Sequence, residues 1–188
     1  MDSKDNLLRS KLLDFYKDST NLDIFLNIVL QKSNISLRSL DWFVTNYSKK
    51  FNVYYPLNKI LYYPYKSYKS QLKAYSKKYC DPFCRRERVI FDYSAGKLKD
   101  LSTNENTSGE IITTIGQLNF FKFAISNGII DYIKDNIEKI EEDMNSTLKI
   151  RDSEKKFLKI ESIKRKELSK SANRSVNITI VNAVIKFI

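Results

Sequence analysis

The chain predicts an α+β fold: a mainly helical single domain with a small β-hairpin or sheet and a C-terminal strand. Three observations lead there. Apolar residues recur at three- and four-residue spacing over residues 5–47 and again over 115–144. Between them, from Phe51, runs a stretch of tyrosines and β-branched residues punctuated by Pro56-Leu57-Asn58. The end of the chain alternates as Val176-Asn177-Ile178-Thr179-Ile180 and then closes on Val184-Ile185-Lys186-Phe187-Ile188. At 188 residues and 42% hydrophobic content the chain can bury a real core. The expected division is a globular α+β domain over 1–146. Residues 147–188 are expected to be a basic helix and strand, packed on the same domain or on a partner.

In chain order, Leu8, Leu12, Leu13 and Tyr16 mark one face of a first helix. Asp18-Ser19-Thr20-Asn21 supplies cap residues for a second, with Leu22, Phe25, Leu26, Val29 and Leu30 as its stripe. After a break at Asn34-Ile35-Ser36, a third carries Leu37, Leu40, Phe43, Val44 and Tyr47. Residues 52–55 and 59–63 flank Pro56-Leu57-Asn58 as a hairpin. Tyr68, Leu72, Tyr75 and Tyr79 then define an amphipathic basic helix, ended at Asp81-Pro82 because proline disfavours helix at the residue before it. Arg88–Tyr93 reads as a strand, 94–110 as a polar loop and 111–113 as a short strand. A helix capped by Thr113 or Thr114 runs to Asn127-Gly128. The next presents Ile130, Ile133, Ile137, Ile140 and Met144 on one side and six acids, Asp143 among them, on the other. Asp152-Ser153 restarts a basic helix, and 170–174 reads as a hinge.

Charge is distributed in blocks. The total is +11, with no histidine. Residues 1–41 are neutral, 42–95 carry +8, 96–146 carry −4 and 147–188 carry +7. The first basic block also holds ten of the twelve tyrosines. Cations interleaved with flat amphipathic rings suit a polyanion with stackable bases, whereas rings alone can equally fill a core. The 25 lysines against 8 arginines, with abundant Asn, Ile and Tyr, point to an AT-rich genome. Part of the lysine excess therefore reflects codon bias.

Without histidine, Ser-His-Asp and Cys-His sites and the HExxH zinc helix are excluded. Cys80 and Cys84 fill half a tetrahedral zinc site, so neither metal nor any other cofactor is expected. Thr113-Thr114-Ile115-Gly116-Gln117 lacks the glycine and lysine spacing of a P-loop. A recognition helix after Asn127-Gly128 would carry six acids to the phosphates and is rejected. Asp81, Glu87, Asp92, Lys97 and Lys99 supply nuclease residue types without a nuclease spacing, so an enzyme is not expected. No apolar run approaches the roughly 18 residues of a membrane span, and the N-terminus has no secretory core. Arg85, Arg86 and Arg88 stand out. Guanidinium forks suit phosphate or carboxylate, and the alternative is internal ion pairing to the acidic helix over 131–143. These arginines would also favour a nearby thiolate.

The stretches Tyr68-Lys69-Ser70-Gln71-Leu72-Lys73-Ala74-Tyr75-Ser76-Lys77-Lys78 and Asp81-Pro82-Phe83-Cys84-Arg85-Arg86 resemble an uncharacterised protein family of nucleocytoplasmic large DNA viruses, mimivirus-like. So do residues 112–121 and 165–172, and the resemblance spans about residues 40–188. It implies a viral factory in the host cytoplasm, or the virion, and no catalytic residues.

The expected function is non-enzymatic, largely sequence-independent binding of nucleic acid. The residues expected to carry it are Lys69, Lys73, Lys77, Lys78, Arg85, Arg86 and Arg88, then Lys164, Arg165 and Lys166. The alternative is a virion structural or assembly protein docking on acidic capsid or core proteins. Acidic and basic blocks on one chain also permit a homo-oligomer.

Overall fold

The computed structural model describes residues 3–101 and 109–174, with side chains over 5–101 and 109–154. The chain divides into two units, residues 1–144 and 145–188. The fold is α+β and mainly helical. The predicted strands over 176–180 and 184–188 lie outside the described residues.

Helix α1 (Ser3–Tyr16) buries Leu8, Leu12 and Tyr16, one residue per turn. Helix α2 (Ser19–Val29) starts where Asp18 accepts a hydrogen bond from the Thr20 N–H at 2.9 Å. Its buried residues are Phe25 and Ile28; Leu22, Leu26 and Val29 of the expected stripe are half-buried, and Leu30, past the helix end, is exposed. Phe25 meets Phe121 edge-on at 5.1 Å. Tyr16 stands 5.4 Å from Phe25 and 5.7 Å from Phe91, closing an aromatic core. The Tyr16 hydroxyl donates to the Leu118 carbonyl at 2.8 Å, and burial pushes its pKa well above 10.0.

Residues 37–50 form one helical run: α3 (Leu37–Trp42), a π-helical turn (Phe43–Tyr47) and α4 (Ser48–Lys50). Ser36 and Ser39 cap it reciprocally, at 3.0 and 3.1 Å. The wide turn places Trp42, Phe43, Val44 and Tyr47 all in the interior.

Strands β1 (Tyr55–Leu57) and β2 (Ile60–Tyr62) pair antiparallel, with Leu57 opposite Ile60. The turn is therefore Asn58-Lys59, not Pro56-Leu57-Asn58. Both turn residues have positive φ, 49° and 66°, which matches the twist of a two-residue hairpin. Helix α5 (Pro64–Tyr75) opens on proline and stops at Ser76, whose φ is 56°. It ends well before the expected Asp81-Pro82 stop, because the following backbone is captured by another helix, as described below.

Strand β3 (Arg88–Asp92) is central in a sheet of order β4-β3-β5, all antiparallel. Here β4 is Lys97–Asp100 and β5 is Glu110–Thr114. β4 corrects the expected loop over 94–110, of which 102–108 lie outside the described residues. Lys-Leu-Lys-Asp has no β-branched residue to announce a strand; the turn announces it instead. Asp92 accepts from the Ser94 hydroxyl and the Ala95 N–H, both at 2.8 Å, and Gly96 takes φ 63°.

Helix α6 (Ile115–Ser126) is capped by Thr114, which accepts from the Gln117 N–H at 3.0 Å. Leu118, Phe120, Phe121 and Ala124 are fully buried. Gly128, at φ 66°, separates it from α7 (Ile129–Arg174). α7 is continuous apart from non-helical dihedrals at Asn136. Asp152-Ser153 therefore restarts nothing, and 170–174 is helix rather than hinge. Asp143, assigned to the acidic outer face, is instead buried. It accepts from Trp42 Nε1 at 2.9 Å and pairs with Lys50. Among the described residues, no helix is long and apolar enough to cross a membrane.

Candidate nucleic-acid interface

The basic block is built on α5 and the segment after it. Tyr68 is buried against Phe120 and Phe123, at 5.8 and 6.1 Å, which fixes the rotation of α5. Lys66, Lys69 and Lys73, spaced three and four apart, then share an exposed face. Lys49 and Lys69 both lie over the ring of Tyr65, at 5.8 and 5.9 Å, and Lys66 lies 4.5 Å over Tyr63.

The tyrosines divide between core and surface. Tyr47 and Tyr68 are core. Tyr55 stacks on Tyr132 at 5.3 Å and donates to the Asn127 carbonyl at 2.7 Å; burial holds its hydroxyl far above 10.0. Tyr54 and Tyr75 are exposed.

Residues 79–82 run against the start of α6. The Asp81 N–H donates to the Gly116 carbonyl at 3.2 Å, the Asn119 side-chain amide to the Tyr79 carbonyl at 2.7 Å, and Gln117 Nε2 to the Pro82 carbonyl at 2.8 Å. Two of the motifs that carried the viral resemblance are thus one structural joint. Lys77 and Lys78, expected on the helix, lie past its end and are exposed. A small cleft of about 30 Å³ forms here, lined by Arg9, Lys78, Arg86 and residues 114–116. Asp5 and Glu87 share it, and the Tyr79 hydroxyl donates to Asp5 at 3.2 Å. Arg9 comes from the electrically neutral first segment, and nothing in its local sequence singles it out.

The arginine cluster splits. Arg85 donates two hydrogen bonds to buried Asp81, at 3.0 and 2.7 Å, and so anchors the loop. This is internal pairing, but to Asp81 rather than to the helix over 131–143. Arg86 and Arg88 are exposed. Lys164, Arg165 and Lys166 lie on α7 in the second unit, with side chains outside those described.

The charge balance of this face follows from its acids. Residues 42–95 contain only three, Asp81, Glu87 and Asp92. Asp81 is taken by Arg85 and Asp92 by Lys99, leaving Glu87, 3.5 Å from Lys78. Lys66, Lys69, Lys73, Lys77, Arg86 and Arg88 make no ion pair among the described residues.

The nuclease-type residues do not come together as a set. Lys99 sits between Asp92 at 2.9 Å and Glu110 at 2.6 Å, clamping β4 and β5 to β3. The Lys99 ammonium, then the Ala95 N–H and the Ser94 hydroxyl, hold the Asp92 carboxyl far below its ordinary 3.8. The stability this contributes is complete above pH 3.8 and is lost as pH falls through the folded value. Acid unfolding followed from pH 6 to pH 2 should therefore be shallower for Asp92→Asn than for the wild type. Parallel curves would contradict the clamp.

The cysteines are free, and the arginines do not activate them. Burial first, then Asp81, pushes Cys80 up to about 12. Burial also raises Cys84, with Arg88 opposing it. A thiol-specific disulfide reagent at pH 8 should label Cys84 first in the native chain, and both cysteines equally only after unfolding. Fast native labelling of Cys80 would refute its seating. Among the described residues, no group of three or more acidic or cysteine side chains is placed to hold a metal ion.

A model described as a family of unknown function (DUF7197) matches residues 1–187. Uncharacterized protein L507 of Acanthamoeba polyphaga mimivirus is 40% identical over 176 residues, covering 89% of this chain and 63% of that relative. This chain thus spans about 63% of the length of the curated relative it matches. No solved structure matches it. The resemblance to a family of large DNA viruses is borne out, and the family match reaches the first forty residues, where none of the quoted motifs lie. The chain belongs to the family of unknown function DUF7197.

Proposed function

We propose that this chain binds nucleic acid through the face of α5 and the loop after it, with little reading of sequence. The observation that supports this is the fate of the acids. Two of the three carboxylates in the basic block are consumed by internal partners, so the exposed cations keep their charge for a polyanion. Lysines on a helix face contact phosphates as point charges and carry no base code. The residues that carry the reading are Lys66, Lys69, Lys73, Lys77, Lys78, Arg86 and Arg88. Arg85 positions the loop. The setting would be a viral factory in the host cytoplasm, or the virion.

The test is an anisotropy titration of the purified chain against labelled DNA and RNA at low salt. Binding should be tight, nearly equal across sequences, and steeply salt-dependent. Absence of binding at roughly 50 mM salt would overturn the reading.

A second reading, docking on acidic capsid or core proteins, is favoured by the hairpin tip, where Ile60 is 72% and Leu61 55% exposed. Under it, polyanions of every kind should bind weakly, and virion proteins firmly.

A further inference from the structure

The outer face of the β1–β2 hairpin is the feature that the basic charge alone does not explain. In the hairpin register Tyr55 lies opposite Tyr62, and their rings meet at 5.4 Å. Side chains alternate along a strand, so the adjacent residues Tyr54 and Tyr63 are directed to the opposite side. Tyr54 and Tyr63 do meet there, with ring centroids 5.7 Å apart, and Tyr54 is 56% exposed. Neither is buried as Tyr68 is, although Tyr63 is half-buried. Cations gather beside the pair: Lys66 lies 4.5 Å over Tyr63, and neighbouring Tyr65 lies beneath Lys49 and Lys69.

We infer that Tyr54 and Tyr63, with Tyr65 beside them, form a stacking platform for the bases of single-stranded nucleic acid, whose phosphates Lys49, Lys66 and Lys69 neutralise. This rests on the polyanion reading above and adds the class of strand. A flat ring offers an aromatic face to any base, so stacking is indifferent to sequence, and the adjacent ammonium groups answer the backbone charge. In a duplex the bases are already stacked on one another, and only the phosphates remain to be bound. An acidic protein supplies charge but no row of planar faces.

The test compares the wild type, Tyr54→Ala/Tyr63→Ala and Tyr54→Phe/Tyr63→Phe at one low salt concentration. The probes are an unstructured oligothymidine, a duplex of equal charge and polyglutamate. The wild type should prefer the single strand. The alanine pair should bind it about five- to a hundred-fold more weakly, while duplex affinity stays the same and the phenylalanine pair behaves as wild type. Tyr54→Ala alone, at the more exposed ring, serves as the test should the double variant unfold.

Equal single-strand binding by a folded alanine variant would overturn the platform and leave the polyanion reading standing. So would equal losses for single strand and duplex. Tyrosine-dependent binding of polyglutamate as tight as that of the oligonucleotide would overturn the platform in favour of a protein partner. No binding of either nucleic acid by the wild type would remove both readings.

Discussion

Charge reversal of the α5 face, Lys66→Glu with Lys69→Glu and Lys73→Glu, is expected to abolish most nucleic-acid affinity and flatten its salt dependence. Each neutralised phosphate releases condensed counterion, so six contacts to a single strand predict a log–log slope of about −4. Between 50 and 200 mM salt that costs roughly two and a half decades of affinity, and about three on duplex. Losing three contacts should reduce the single-strand slope by about 2. These lysines form no ion pairs among the described residues, so their reversal costs the fold only the ring contacts of Lys66 and Lys69. Arg86→Glu with Arg88→Glu should act in the same direction. Arg85 is the wrong residue to reverse, because a glutamate there faces buried Asp81 and strips it of its partner. The decisive measurement is the salt slope of wild type and triple variant on one oligonucleotide. An unchanged slope would remove α5 from the interface.

Gly116→Ala is expected to destabilise the fold markedly for a single added methyl group. A Cβ built there would lie 2.7 Å from the Lys78 carbonyl oxygen, and that atom belongs to the backbone. A flexible side chain could swing aside, but the 78–82 segment is held by three hydrogen bonds from α6 and cannot. Overpacking of this kind costs about 1–3 kcal/mol, several degrees in Tm for a chain of this length. Because the same segment carries Lys78 and leads into Arg86 and Arg88, binding should weaken as well. Thermal unfolding checks the first expectation and the titrations above the second. A Tm matching wild type would mean that the segment is not seated on α6 as described.

Local chemistry made much of this molecule legible. Asp18 and Thr114 announce their helices because a short side-chain oxygen before an apolar stripe can satisfy an orphan N–H. Gly128 announces a helix end because a left-handed residue is needed there. β3 shows itself through adjoining Val, Ile and Phe.

What was missed depends on partners distant in sequence. α5 ends at Ser76 because Gln117, Asn119 and Gly116 claim the backbone beyond it, a cause some forty residues away. β4 has a lysine-rich pattern of its own and becomes a strand because β3 offers it hydrogen bonds and Lys99 finds two carboxylates. Asp143 reads as one more acid on a polar face until Trp42 and Lys50 take it inward.

The same division holds for the candidate interface. The sequence alone determined that this is a basic α+β chain without histidine chemistry, with cations and tyrosines concentrated in residues 42–95. Those properties are additive over residues and need no geometry. Only the tertiary structure decided which cations remain unpaired, that Arg85 anchors while Arg86 and Arg88 face solvent, and that Tyr54 is exposed while Tyr55 is half-buried against Tyr132. The physical reason is that charge and ring count are carried by each residue separately. Pairing and burial are relations, and they exist only once the fold has brought the partners together.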